Sequence, residues 1–74
     1  MPLRYADPGY LPDRKKRYPL EYRAGTLSPA RIRDALGRFH QNYFRYTARQ
    51  RQLIEGRIRG AGKRVGIRFT ARRR

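Results

Sequence analysis

Four of the five prolines in this 74-residue chain fall within its first 27 residues (Pro2, Pro8, Pro12 and Pro19), and the fifth, Pro29, directly follows a serine. Proline fixes φ at about −65° and has no N–H to give to a helix or a central strand. No helix can therefore run through residues 1–27. That stretch is expected to be extended and broken by turns, the sequence DPG at residues 7–9 being the plainest of them. Pro19 also holds the residue before it in extended backbone, which puts Tyr18 and Leu20 on one face.

At residue 28 the same residue type takes the opposite meaning. Ser28-Pro29 is a cap residue followed by a first-turn proline, the order that starts a helix. Ile32, Ala35, Leu36, Phe39 and Tyr43 follow at the spacing of one helical face, which predicts a helix over residues 29–41. On its other side Asp34 stands four residues before Arg38, a pairing distance. NYFRY, residues 42–46, reads as an aromatic connector, after which Thr47 and Gln50 match a capping box. The second helix has a stripe of Ile54, Ile58, Ala61 and Val65, flanked by Leu53, and closes at Gly66-Ile67 as a left-handed glycine cap. Residues 67–70 alternate and could pair as a short strand with residues 17–22, and residues 71–74 read as a free basic tail. The expected fold is mainly α: an extended Pro-rich N-terminal arm (1–27), a helix-connector-helix core (28–67) and a basic C-terminal tail (68–74).

A chain this short buries only about 60% of its unfolded surface. Leu, Ile, Val and Phe number 14 of its 74 residues, about the level below which a highly charged chain stays unfolded unless a partner orders it. The charge is extreme: 20 Lys plus Arg against 5 Asp plus Glu, a formal +15. Such self-repulsion opposes folding and favours capture of polyanions. Seventeen of the basic residues are arginine, whose planar fork grips phosphate with two hydrogen bonds and stacks on bases. There is no cysteine, so no disulfide or thiolate metal site. Nothing in the apolar pattern predicts membrane insertion or a signal peptide.

Catalysis needs a constellation, and one histidine, His40, with carboxylates scattered singly at Asp7, Asp13, Glu21, Asp34 and Glu55 does not make one. No enzyme activity, metal or cofactor is expected. A phosphate loop fails at two positions, since Arg57 stands where its first glycine belongs and Arg64 where its hydroxyl belongs. Gly56 and Gly60, one turn apart, bare a strip of backbone. Close approach of the arm or first helix, close approach of a nucleic-acid backbone, and fraying of the helix would each account for them. Tyr5, Tyr10, Tyr22, Phe44 and Tyr46 lie outside both stripes, free to pack the arm over the core or to stack on bases.

KRYPL at residues 16–20, ALGRF at 35–39, and Tyr46 opening a helix that closes in RIRGAGKRVGI at 57–67 together resemble a small uncharacterised domain of bacterial and phage proteins. Its motifs run Arg-Tyr-Pro-Ile, then a helix with Arg-Phe, then Arg-Ile-x-x-Ala-Ala-Lys-Arg-Phe-Gly-Ile. The likeness spans residues 15–67, with Gly60 and Gly62 near positions where that pattern has alanine and a longer link after Pro19. It implies a helix-connector-helix unit with an arm, and a phage connection. It implies no activity and no site residue.

The expected function is non-enzymatic, non-sequence-specific nucleic-acid binding through the phosphate backbone, with DNA favoured over RNA. The candidate contacts are Arg14, Lys15, Lys16 and Arg17 in the arm, Arg57, Arg59, Lys63 and Arg64 on the second helix, and Arg68, Arg72, Arg73 and Arg74 in the tail. The alternative is a small virion or ribonucleoprotein assembly component that meets an acidic protein surface or packaged nucleic acid. The matching locations are cytoplasm or nucleoid for the first reading and the virion for the second.

Overall fold

The computed structural model describes residues 3–68 of the chain. Its elements run β1 (Tyr5–Asp7), β2 (Arg17–Pro19), β3 (Glu21–Arg23), β4 (Thr26–Leu27), α1 (Pro29–Gln41), a 3-10 turn (Tyr43–Arg45) and α2 (Ala48–Arg64). Both helices stand where their caps placed them. The Ser28 side chain accepts from the Arg31 N–H at 3.3 Å with Pro29 in the first turn, and Thr47 and Gln50 form the reciprocal capping box. Past α2, Gly66 takes φ 81°, the Ile67 N–H reaches back to Gly62 O at 2.8 Å and the Gly66 N–H to Lys63 O at 3.3 Å. That is a Schellman closure, and Ile67 packs against the core.

The mainly α expectation is corrected: the described chain is 50% helical, with another 17% in two small antiparallel strand pairs, a mixed α/β mini-fold. β1 pairs with β2 in the register Tyr5 to Pro19 and Asp7 to Arg17, and β3 pairs with β4 across a turn at Gly25, φ 87°. Leu20 joins the pairs, its N–H donating to Arg4 O and its carbonyl accepting from the Ser28 N–H, both at 2.9 Å. Strands of two or three residues are too short to carry a period of two. They are held by turn chemistry instead. Asp7 Oδ1 accepts from the N–H groups of Gly9 (2.7 Å) and Tyr10 (2.8 Å), fixing the turn expected at DPG. Gly9 has φ 119°, and a Cβ there would stand 2.9 Å from Arg14 O.

Residues expected to be an arm thus supply Ala6, Leu11, Tyr18 and Leu20 to the core, which they share with Ile32, Ala35, Phe39, Tyr46, Ile54, Ile58 and Ala61. α1 packs on β2 and α2, and α2 packs on β1. Phe39 sits at the centre, ringed by Tyr18, Tyr43 and Tyr46 at centroid distances of 6.2, 5.3 and 6.0 Å. Two core assignments are exchanged: Tyr43, on the expected stripe, is 40% exposed, while Tyr46, outside it, is buried. The helix ends at Gln41, so the 3-10 turn re-aims both rings. Tyr18 is also not extended, having φ 64°, although it and Leu20 are both buried. Ile67 and Arg68 belong to no strand, since β2 is paired with β1, and Phe69 and Thr70 lie outside the described residues. The body is a plate of 38 × 30 × 16 Å.

Candidate nucleic-acid interface

Every Asp and Glu of the chain is engaged inside the fold. Asp13, Asp34 and Glu55 pair with Arg17 (2.5 Å), Arg38 (2.7 Å) and Arg59 (2.8 Å), each four residues further on. The two others are buried: Asp7 is 0% exposed and Glu21 4%. Asp7 Oδ2 accepts the Tyr46 hydroxyl at 2.6 Å, and Glu21 Oε1 accepts the Arg4 N–H at 2.9 Å. The Arg17 guanidinium and the Lys15 N–H hold the Asp13 carboxyl well below the usual carboxylate range, and Asp13 in turn raises Arg17. Burial pushes the Tyr46 phenol far above its ordinary value, assisted by its hydrogen bonds to Asp7 and Tyr18.

The expected phosphate contacts divide accordingly. Arg14, Lys15 and Lys16 are exposed on the loop between β1 and β2, where the Arg14 backbone is left-handed at φ 60° and Asp13 accepts the Lys15 N–H. Arg17 is spent on Asp13, and Arg59 is paired with Glu55. Arg57 holds the fold together, its Nη1 donating to Ala6 O at 3.0 Å and to the Tyr10 hydroxyl at 2.8 Å and so tying α2 to β1. Lys63 and Arg64 are exposed in the last turn of α2, and Arg68 is exposed beyond the cap. Arg72, Arg73 and Arg74 lie outside the described residues.

The fold brings two of these candidates, Arg57 and Arg64, to one groove between β1 and α2. Arg4, Tyr5, Gly56 and Gly60 line it with them, above Leu20 and Ala61, around a volume of about 460 Å³. Arg4 was not among the expected contacts, and Tyr5 was one of five rings left free to pack over the core or to stack on bases. Their signal was a basic residue beside an aromatic one, but a run read as a loose arm gave no reason to bring that pair to a distant helix. The glycines are also resolved. A Cβ at Gly56 or Gly60 would meet nothing within 4 Å, and α2 runs unbroken past both, so neither tight internal packing nor fraying accounts for them.

Of the rings outside the stripes, Tyr46 is core and Tyr10 packs against it, whereas Tyr22 and Phe44 are 52% and 78% exposed. Arg51 covers the Tyr43 ring at 4.2 Å and donates to the Tyr43 carbonyl at 2.9 Å. His40 lies with its ring against Phe39 and Tyr43. Among the described residues no three His, Asp or Glu gather as a metal set, and no helix is long and apolar enough to cross a membrane. No family model, curated protein or solved structure matches the chain.

Proposed function

We propose that the protein binds nucleic acid through its phosphate backbone, without catalysis and without base-specific reading, DNA being the first polymer to test. The observation that carries this reading is the engagement of all five acidic side chains. A polyanion approaching the surface meets cations whose intramolecular competitors are already paired off or buried. The chain carries a formal +15, and among the described residues Arg14, Lys15, Lys16, Lys63, Arg64 and Arg68 are exposed. Arginine predominates among those cations, which suits two-pronged contact with phosphate oxygens. The link between α1 and α2 holds an aromatic 3-10 turn and lacks the tight glycine turn of a base-reading helix pair, so the affinity is expected to come from charge and shape.

The test is a salt titration of binding to a labelled DNA. With about 5 to 8 phosphates neutralised, log K against log salt falls with a slope of roughly −4 to −7. A slope shallower than about −2 would remove the polyelectrolyte mechanism and turn attention to an acidic protein surface as the partner.

A further inference from the structure

We propose that the groove between β1 and α2 seats one unpaired nucleic-acid strand, its phosphates against Arg4, Arg57 and Arg64 and a base against Tyr5. This rests on the nucleic-acid reading above and gives it a place and a substrate form. The groove is concave and cationic, and its lining contains no carboxylate. Arg57 is fixed on its wall by Ala6 O and the Tyr10 hydroxyl, so that charge is in position before any ligand arrives. Arg4 and Arg64 have no side-chain partner among the described residues and can close on a ligand. They also border a second hollow lined by Gly25, Thr26, Leu27 and Val65, which extends the track beyond one nucleotide. In that hollow the only acid is Glu21, buried and accepting from the Arg4 backbone.

The strand form follows from shape. A duplex holds its phosphates on outer ridges and turns its bases inward, away from a ring such as Tyr5. A single strand can lay its backbone in a cleft and offer the face of a base to an aromatic side chain. The cavity and its guanidiniums carry the assignment, and the two glycines that line it provide a clean test. Because a Cβ at Gly60 would meet nothing within 4 Å and Gly60 lines the groove, a leucine there is expected to narrow it.

The experiment uses the full chain and three labelled probes of about 12 nucleotides, a length within the range of single-strand sites: oligothymidylate, oligouridylate and a duplex of equal phosphate count. Gly60→Leu is expected to raise the melting temperature by about 4 to 8 °C, since glycine is a poor helix former. At about 0.15 M salt it should weaken oligothymidylate or oligouridylate binding at least about tenfold, with duplex binding changed less than about twofold. The stronger of the two single-strand probes ranks the DNA and RNA forms of the polymer. Arg4→Ala should lower single-strand affinity more than Arg33→Ala, which removes the same charge from the exposed surface of α1. If Gly60→Leu fails to fold, the Arg4→Ala comparison decides. At that salt a folded Gly60→Leu with unchanged single-strand affinity overturns the groove, as does equality of the two arginine variants. An equal loss on duplex overturns the single-strand assignment. Wild-type protein that binds none of the probes overturns the nucleic-acid reading itself, a result distinct from any of these.

Discussion

Tyr46 has one hydroxyl hydrogen, and it goes to Asp7 Oδ2 at 2.6 Å. The 3.0 Å contact between the hydroxyls of Tyr46 and Tyr18 must then be a donation from Tyr18, making a relay of two phenols that ends on a buried carboxylate. With its Oδ1 taken by two backbone N–H groups, Asp7 has both oxygens satisfied, which is what makes its burial tolerable. Tyr46→Phe keeps the ring and removes the donor, and should cost about 1.5 to 3 kcal/mol, read as a lowered urea midpoint with an unchanged slope. The same relay sets an alkaline limit. The folded Tyr46 phenol titrates above its unfolded value, so its stabilisation is whole below about pH 10 and is lost as pH rises further. Wild-type stability should fall above that pH, and Tyr46→Phe, though weaker at neutral pH, should fall less steeply. Tyr18 adds a second constraint here: φ 64° on a non-glycine residue costs on the order of 1 to 3 kcal/mol, offset by burial of its ring beside Phe39.

Each helix was legible because its ends were written in residue chemistry. Ser28-Pro29, Thr47 with Gln50, and Gly66-Ile67 each satisfy backbone groups that a helix terminus leaves open, and all three do so in the fold. Gly66→Val should therefore cost about 1 kcal/mol or more, because a β-branched residue must take φ 81°, whereas Gly56→Ala, in open space, should stabilise by about the same amount. Thermal denaturation of the two variants in parallel checks both signs. The strands were not legible because nothing in so short a run announces a partner far along the chain. β1 and β2 meet through the Asp7 turn and the bond between Leu20 and Arg4, and the Arg57 tie fastens β1 to α2, all long-range or side-chain-made. The candidate site inherits that split. Its α2 half, Arg57 and Arg64, could be anticipated from a helix end crowded with charge, while its β1 half, Arg4 and Tyr5, depended on a pairing that the proline pattern concealed.

At the scale of the whole molecule, the plate is only 16 Å through its short axis. A core this thin is one layer of side chains, with no deeper shell to repack around a loss. Phe39→Ala should accordingly cost about 3 to 5 kcal/mol, enough in a domain of this size to abolish the cooperative unfolding transition seen by circular dichroism. Thinness also sets how the charge is felt. The distance over which ions in solution mask a charge is about 8 Å at physiological salt and about 30 Å at 0.01 M. The plate is about two such lengths thick in the first case and about half of one in the second. In dilute salt the charges on both faces of the plate therefore reach a polyanion together, and it gains less from any particular landing place. Near physiological salt it senses only what it touches. Wild-type protein and Gly60→Leu should bind a single strand almost equally at about 0.01 M and separate as salt is raised to about 0.15 M, so the ionic strength of the medium decides whether this protein acts as a sticky particle or as a shaped one.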